Sequence, residues 1–343
     1  MGTYSRLFEP LKINDAYTMK NRVACAPMAF ALIACSPEAA EKSFRKLEAP
    51  ARGGDACVSV GELDVNFTDA IRIPLPPVDL VEEGSYAEQC VGEYARRIHR
   101  HDAIALCEIC HPGAEKVPFD ETQEAIGPND EVRPNGVHVR AMTQADMKHV
   151  ADDFVTAAKF VKRCGFDGVV IHGGHGFLFT QFLSSTYNKR TDEYGGPLEN
   201  RARFPIQILK AIREAMGKDF IIEFRITGDD GYTDERHGVT PKETGLFAHM
   251  IEGIVDMIQV SAGIYYDAIP THQFSSMFVP HGVNAGISAE VKKYTSLPVG
   301  VVGGINSPEQ MEEILEKGEA DYIVLGRQRL ADPELVNKTK NGE

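Results

Sequence analysis

Apolar residues recur along the chain in two alternating patterns. Short, β-branched runs stand at 22–27, 56–60, 103–109, 168–172, 220–226, 257–261, 298–302 and 322–326. Between several of them apolar positions follow helical spacing, most clearly over 147–163, where Val150, Phe154, Ala157, Ala158 and Val161 make one stripe. Thr143-x-x-Asp146 precedes that stripe as a start signal and Gly165 follows it as a stop. The stretches 198–216, 241–254, 288–294 and 307–317 read the same way, with Pro308 suited to a first helical turn and Gly318 to a cap.

Strands alternating with helices predict parallel pairing, and near-continuous apolarity predicts that both strand faces are buried. Eight such units close into a (β/α)8 TIM barrel of about 250 residues. The chain reads as one domain over 1–343, its surplus spent in extended loops at 30–52, 67–86, 111–140 and 265–282. An open doubly wound sheet would carry a glycine-rich fingerprint after its first strand, and Cys25-Ala-Pro-Met28 stands there instead. In a barrel the chemistry belongs at the C-terminal strand ends.

Composition narrows the partners. With 36 basic against 50 acidic residues the formal charge is −14, a field that repels nucleic-acid backbones and anionic membrane surfaces. No apolar run reaches the ~18 residues of a membrane span, and the first 21 residues lack the apolar core of a secretory signal. Seven scattered cysteines suit a reducing, cytoplasmic location. Cys107-Glu-Ile-Cys110 has metal-motif spacing, but in a strand its two thiols fall on opposite faces and no second pair completes a set, so no metal is expected.

The strand ends collect polar groups and glycines: Ala26-Pro27-Met28, Gly61-Glu62, Glu108 with His111, His172-Gly-Gly-His175, Arg225, Ser261, Gly303-Gly304 and Gly326-Arg327. Two glycine turns in the last two units, with a cation, point to a bound phosphate at exposed backbone N–H groups. His172 and His175 read as metal ligands, as donors to an anionic oxygen, or as core histidines. Their loop offers no carboxylate as a further ligand, which favours donors. The buried Arg225 needs a partner, either a carboxylate (Glu108 or Glu223) or an electron-rich ligand edge.

The stretch His172 to Phe204, with its core Asn188-Lys-Arg-Thr-Asp192-x-Tyr194-Gly-Gly196 and Glu199-Asn200-Arg201, resembles the old yellow enzyme family of FMN-dependent barrel oxidoreductases. Asn21-Arg22, Pro27-Met28, His111-x-Gly113, Arg225, Gly303-Gly304 and Gly326-Arg327 extend the resemblance over essentially the whole chain.

The resemblance implies that Ala26, Pro27, Met28 and Gly61 line a flavin ring. It implies that Glu108 and Arg225 meet the ring's pyrimidine edge, and that Gly303, Gly304, Gly326 and Arg327 hold the FMN phosphate. His172 and His175 would hydrogen-bond the electron-withdrawing oxygen of an unsaturated small-molecule substrate, with Phe177 beside it. The implied activity is reduction of an activated C=C bond with NAD(P)H as electron donor. The alternatives are a dehydrogenase or demethylase acting on an amine or cyclic enone, and a flavin-binding module without catalysis.

Three positions depart from the family pattern. Ala29 replaces a threonine or cysteine, Glu108 replaces a glutamine, and Phe177 replaces the tyrosine that protonates the α-carbon. The missing proton donor is therefore expected in the loop after the sixth strand, Tyr265 first and Tyr266 second; the alternative is that both merely wall the pocket. The branch resembled holds dienoyl-CoA reductase and the bile-acid and trimethylamine enzymes. Many of these continue past the barrel with an iron–sulfur cluster and a second redox module. The chain ends about where that cluster would begin, so it reads as a single-domain protein or as the barrel of a longer parent protein with a C-terminal redox module; a homo-oligomer is the other partner expectation.

Overall fold

The structure is a computed structural model that describes residues 4–29, 36–70, 77–232, 238–264 and 279–343. Eight parallel strands close a barrel. They are β1 Val23–Met28, β2 Cys57–Asp64, β3 Ile104–Cys110, β4 Gly168–Gly173, β5 Ile221–Thr227, β6 Met257–Ser261, β7 Val299–Val302 and β8 Tyr322–Leu325. β8 pairs with β1, Val324 against Ala24, and this closes the ring. Every apolar run named above became a barrel strand. β2 runs further than its apolar run, because beyond a register shift Leu63 and Asp64 pair with Ile109 and Cys110.

Helices wrap the outside: α1 Pro37–Arg52, α2 Tyr86–His99, α3 Gln144–Arg163, α4 Arg203–Met216, α5 Pro241–Met250, α6 Ala285–Lys292, α7 Pro308–Glu316 and α8 Leu335–Asn341. Thr143 and Asp146 form a reciprocal capping box at the start of α3, and Ser307 caps α7 with Pro308 in its first turn. Two differences stand out. The segment 30–52, read as a loop excursion, holds the first barrel helix. Likewise α2 went unread, although its apolar stripe of Cys90, Val91, Tyr94, Ala95 and Ile98 is buried. The excursion at 111–140 carries a small sheet of its own, Ala125–Gly127, Glu131–Val132 and His138–Ala141.

Period-two alternation sorts the side chains. One set, including Cys25, Val58, Cys107 and Ile171, packs outward against the helices. The other fills the barrel in layers. At the lower end Ala24, Cys57, Ile104, Ile221 and Met257 pack with Ile13 and Met19, which flank a short hairpin closing the base. Above them the layer turns polar: Tyr322 donates to Glu223 Oε1 at 2.6 Å and Gln259 Nε2 donates to the same oxygen at 3.3 Å. Burial pushes the Glu223 carboxyl up against these hydrogen bonds. Among the described residues no helix is long and apolar enough to cross a membrane.

Candidate active site at the barrel mouth

The next inward positions on these strands are Glu108, His172, Arg225 and Ser261, at the C-terminal rim. Arg225 donates from Nη1 to Glu108 Oε1 at 2.9 Å, with the carboxylate side chain 4% exposed. Of the partners open to Arg225, the carboxylate Glu108 is the one it takes. Its Nε is buried and has no hydrogen-bond partner, so part of the guanidinium is left over for something else. Gly61 is what lets β2 lie over Glu108. Its φ is +140°, and a Cβ there would stand 2.8 Å from Glu108 Cβ. A side chain at this position would therefore push the ends of β2 and β3 apart.

His172 shares a register position with Arg225. Its Nδ1 lies 3.2 Å from Glu62 Oε2 and its Nε2 2.8 Å from His175 Nδ1. His175 Nε2 in turn lies 2.8 Å from Ser261 Oγ. His175 holds φ +60°, fixed by its backbone N–H donating to Thr227 Oγ1 at 2.5 Å. Phe177 stacks edge-on against His172, centroids 4.7 Å apart, and is itself buried.

Two expectations change here. The carboxylate that the histidine loop lacks arrives from β2: the Glu62 carboxyl, Cys110 Sγ and a ring nitrogen of His172 lie within 4.8 Å of one another. The histidines also do not present two open donors. Each imidazole has only two nitrogens, and all four are turned to groups of the protein. To take a substrate oxygen, one of these contacts must open. Cys107, as expected, points to the outer layer while Cys110 faces the mouth. Glu62 and Ser261 are the participants that sequence reasoning left without a role. Each is a polar residue at the C-terminal end of an apolar run in the sequence, which was the available signal.

Other rim residues serve the framework. His111 is fully buried, its Nε2 3.1 Å from Asp69 Oδ1 and its Nδ1 accepting from the Gly113 N–H at 3.0 Å. The 188–201 motif knits loops together. Asn188 donates to the carbonyls of Phe182 and Tyr194, Arg190 to those of Pro128 and Met142, and Arg201 to that of Gly196. Asp230 accepts from Ser184 Oγ and the Val239 N–H, and burial pushes its carboxyl up to about 7.

Across the mouth, Gly303 and Gly304 hold φ +151° and +64°. A Cβ on Gly303 would meet Asn284 Nδ2 at 2.4 Å, while that amide donates to the Val302 carbonyl at 2.7 Å. Gly326 opens the turn Arg327–Ala331, and Arg329 within it is wholly buried, donating to Asp55 Oδ1 at 3.1 Å. Ala26, Pro27 and Met28 end β1 beside β2. Tyr265 and Tyr266 lie outside the described residues.

The model of the NADH:flavin oxidoreductase / NADH oxidase family matches residues 6–343. A protein named NADH oxidase from Thermoanaerobacter brockii is 32% identical over 100% of this chain and 52% of its own length. A cinnamate reductase from Clostridium sporogenes is 30% identical over 98% of this chain and 52% of its own. The structure of 2-naphthoyl-CoA reductase with 2-naphthoyl-CoA superposes with a TM-score of 0.86 at 25% identity, covering 99% of this chain and 53% of that one. The chain spans about half the length of each of these proteins. The matching family binds FMN, and NADH and NADPH serve its members as electron donors.

Proposed function

We propose that this chain, which belongs to the NADH:flavin oxidoreductase / NADH oxidase family, binds FMN over the barrel mouth and reduces an activated C=C bond of a small molecule with electrons from NAD(P)H. The observation that carries the reading is Arg225. A guanidinium whose buried Nε is unused sits in the top layer of the barrel, level with His172. It is aimed where an electron-rich ring edge would complete its hydrogen bonds. Two and three strands further round the ring, the turns at Gly303-Gly304 and Gly326-Arg327 supply backbone and a cation for a phosphate. These residues fit FMN. In this reading Ala26, Pro27, Met28 and Gly61 line the ring, Glu108 accepts at its pyrimidine edge, and Arg225 stabilises negative charge there.

Bound FMN supplies the hydride. The chain supplies orientation, a dry pocket and charge stabilisation. The cinnamate and 2-naphthoyl-CoA named in the relatives are conjugated carbonyl compounds, which supports a substrate of that class here. Six buried cysteines among the described residues form no disulfide with one another, which supports a reducing, cytoplasmic setting. The test is direct. The purified protein should release FMN, be bleached anaerobically by NADH or NADPH, and regain its colour on adding a 2-enone or an α,β-unsaturated acid. A protein that takes up no FMN, or a reduced protein that no such acceptor reoxidises, overturns the proposal.

A further inference from the structure

We propose that Glu62, His172, His175 and Ser261 form a proton relay, with Glu62 as the proton store and the Ser261 hydroxyl as the end that protonates the reduced substrate. The inference rests on the ene-reductase reading above. Phe177 bears no exchangeable proton, yet a C=C bond that receives a hydride on one carbon requires a proton on the other. The structure places a continuous line of exchangeable groups at the mouth. Its contacts are Glu62 Oε2 to His172 Nδ1 at 3.2 Å, His172 Nε2 to His175 Nδ1 at 2.8 Å, and His175 Nε2 to Ser261 Oγ at 2.8 Å. All four residues are at most 8% exposed, so water does not short-circuit the line. They come from the ends of β2, β4 and β6 and the turn after β4, a spread no local motif would produce.

Proton counting gives the line two states. Three contacts need three protons. With Glu62 ionised, the neutral His172 donates from Nδ1 to Glu62, His175 donates from Nδ1 to His172, and Ser261 donates to His175 Nε2. Every donor then points inward and the hydroxyl proton is engaged. With one further proton, held as the Glu62 carboxylic acid, each donor reverses. Glu62 donates to His172 Nδ1, His172 Nε2–H donates to His175, His175 Nε2–H donates to Ser261, and the Ser261 O–H is released outward. Delivery breaks the Ser261 O–H bond and forms a C–H bond at the carbanionic α-carbon. Ser261 recovers its proton from His175, His175 from His172, and His172 from Glu62. Both imidazoles change tautomer and neither becomes charged. The net loss is one proton from the Glu62 carboxyl, replaced from solvent in each turnover.

The surroundings suit this assignment. Among the described residues, the ionisable groups beside the line include Cys110 from β3 and, level with His172, the Arg225–Glu108 pair from β5 and β3. Arg225 is already opposed by Glu108, so its charge is compensated. Phe177 packed edge-on against His172 holds that ring in line with both neighbours. The left-handed backbone of His175 sets its ring between His172 and Ser261.

The experiment uses FMN-loaded protein labelled with ¹⁵N-histidine, whose ring shifts distinguish the two tautomers and the imidazolium. In wild type, His172 and His175 should switch together from Nε2–H to Nδ1–H as pH rises. Glu62→Gln keeps a hydrogen-bonding group but stores no proton, and it should abolish the joint switch. Independent titration of the two rings, formation of an imidazolium, or a switch that survives Glu62→Gln overturns the relay. So does stoichiometric zinc or iron in the purified protein that is lost on Cys110→Ser.

The kinetic arm follows flavin reoxidation by an enone. Ser261→Ala and Glu62→Gln should each slow it by about 10²-fold and lower its solvent deuterium isotope effect. The opposite pattern, with a tyrosine variant slow and Ser261→Ala fast, refutes the relay in favour of the loop. If wild type reoxidises with no C=C acceptor, the ene-reductase reading fails while the tautomer measurement still decides the relay.

Discussion

Replacing Arg329 by Met tests how the expected phosphate turn is held. The Arg329 and Asp55 side chains are both 0% exposed and meet at 3.1 Å. Arg329 Nη1 also reaches the Pro333 carbonyl at 3.3 Å, while its Nε, its Nη2 and Asp55 Oδ2 are buried without partners. Such an under-satisfied pair adds little net stability, but losing one member leaves a bare buried charge, a loss of about 3–5 kcal/mol. Burial, offset in part by Arg329, pushes the Asp55 carboxyl up to about 7. The native protein therefore binds this proton more tightly than the unfolded chain. Wild-type stability should accordingly fall as pH rises from about 4 to about 7.

Arg329→Met should be costly at about pH 8, where Asp55 is ionised in the fold, by roughly 3–5 kcal/mol. At about pH 5, where the carboxyl carries its proton, the loss should shrink to packing and hydrogen bonds, roughly 1–2 kcal/mol. Urea unfolding followed by circular dichroism at the two pH values, with the Asp55→Asn/Arg329→Met double variant as control, measures the difference. An equal loss at both pH values, or a double variant no better than the single at pH ~8, would refute the reasoning. FMN retention should drop with the single variant, because the Arg329 side chain ties the segment that Gly326 opens to Asp55 and to the Pro333 carbonyl.

Three further outcomes are expected. Arg327→Ala should weaken FMN binding by about 10- to 100-fold, the worth of one charge-assisted phosphate contact, in titrations of apoprotein; full-strength binding would remove Arg327 from the site. Gly61→Ala forces a Cβ to within 2.8 Å of Glu108 Cβ at φ +140°, so it should cost about 1–3 kcal/mol in urea midpoints and blue-shift or bleach the bound flavin spectrum. His99 has its pKa raised by the hydrogen bond to Asp167, so its stabilisation is present below its unfolded value and is lost as pH climbs through the raised one. With the ring 39% exposed the effect is small, and His99→Gln should flatten that part of the pH–stability curve.

The sequence by itself determined the barrel. Strands buried on both faces must read as continuous apolar runs, and caps such as Thr143-x-x-Asp146 act within one turn, so both signals are local. The helix α1 was hidden because a barrel helix and a long rim loop occupy the same place in the unit, and α2 because its segment followed another expected excursion. The rim placement of the residues proposed to line a flavin and hold its phosphate was also legible, since glycine turns and strand-end residues are set by chain order. What only the tertiary structure decided is who faces whom. Glu108 rather than Glu223 pairs with Arg225, Glu62 reaches His172 across 110 residues, and Asp55 meets Arg329 across 274. Barrel closure brings such residues together through register and strand tilt, which no spacing along the chain encodes. The histidine pair shows the consequence. Its residue types spoke for open donors, but a hydrogen bond is spent by whichever partner the fold delivers, and the fold delivered Glu62 and Ser261.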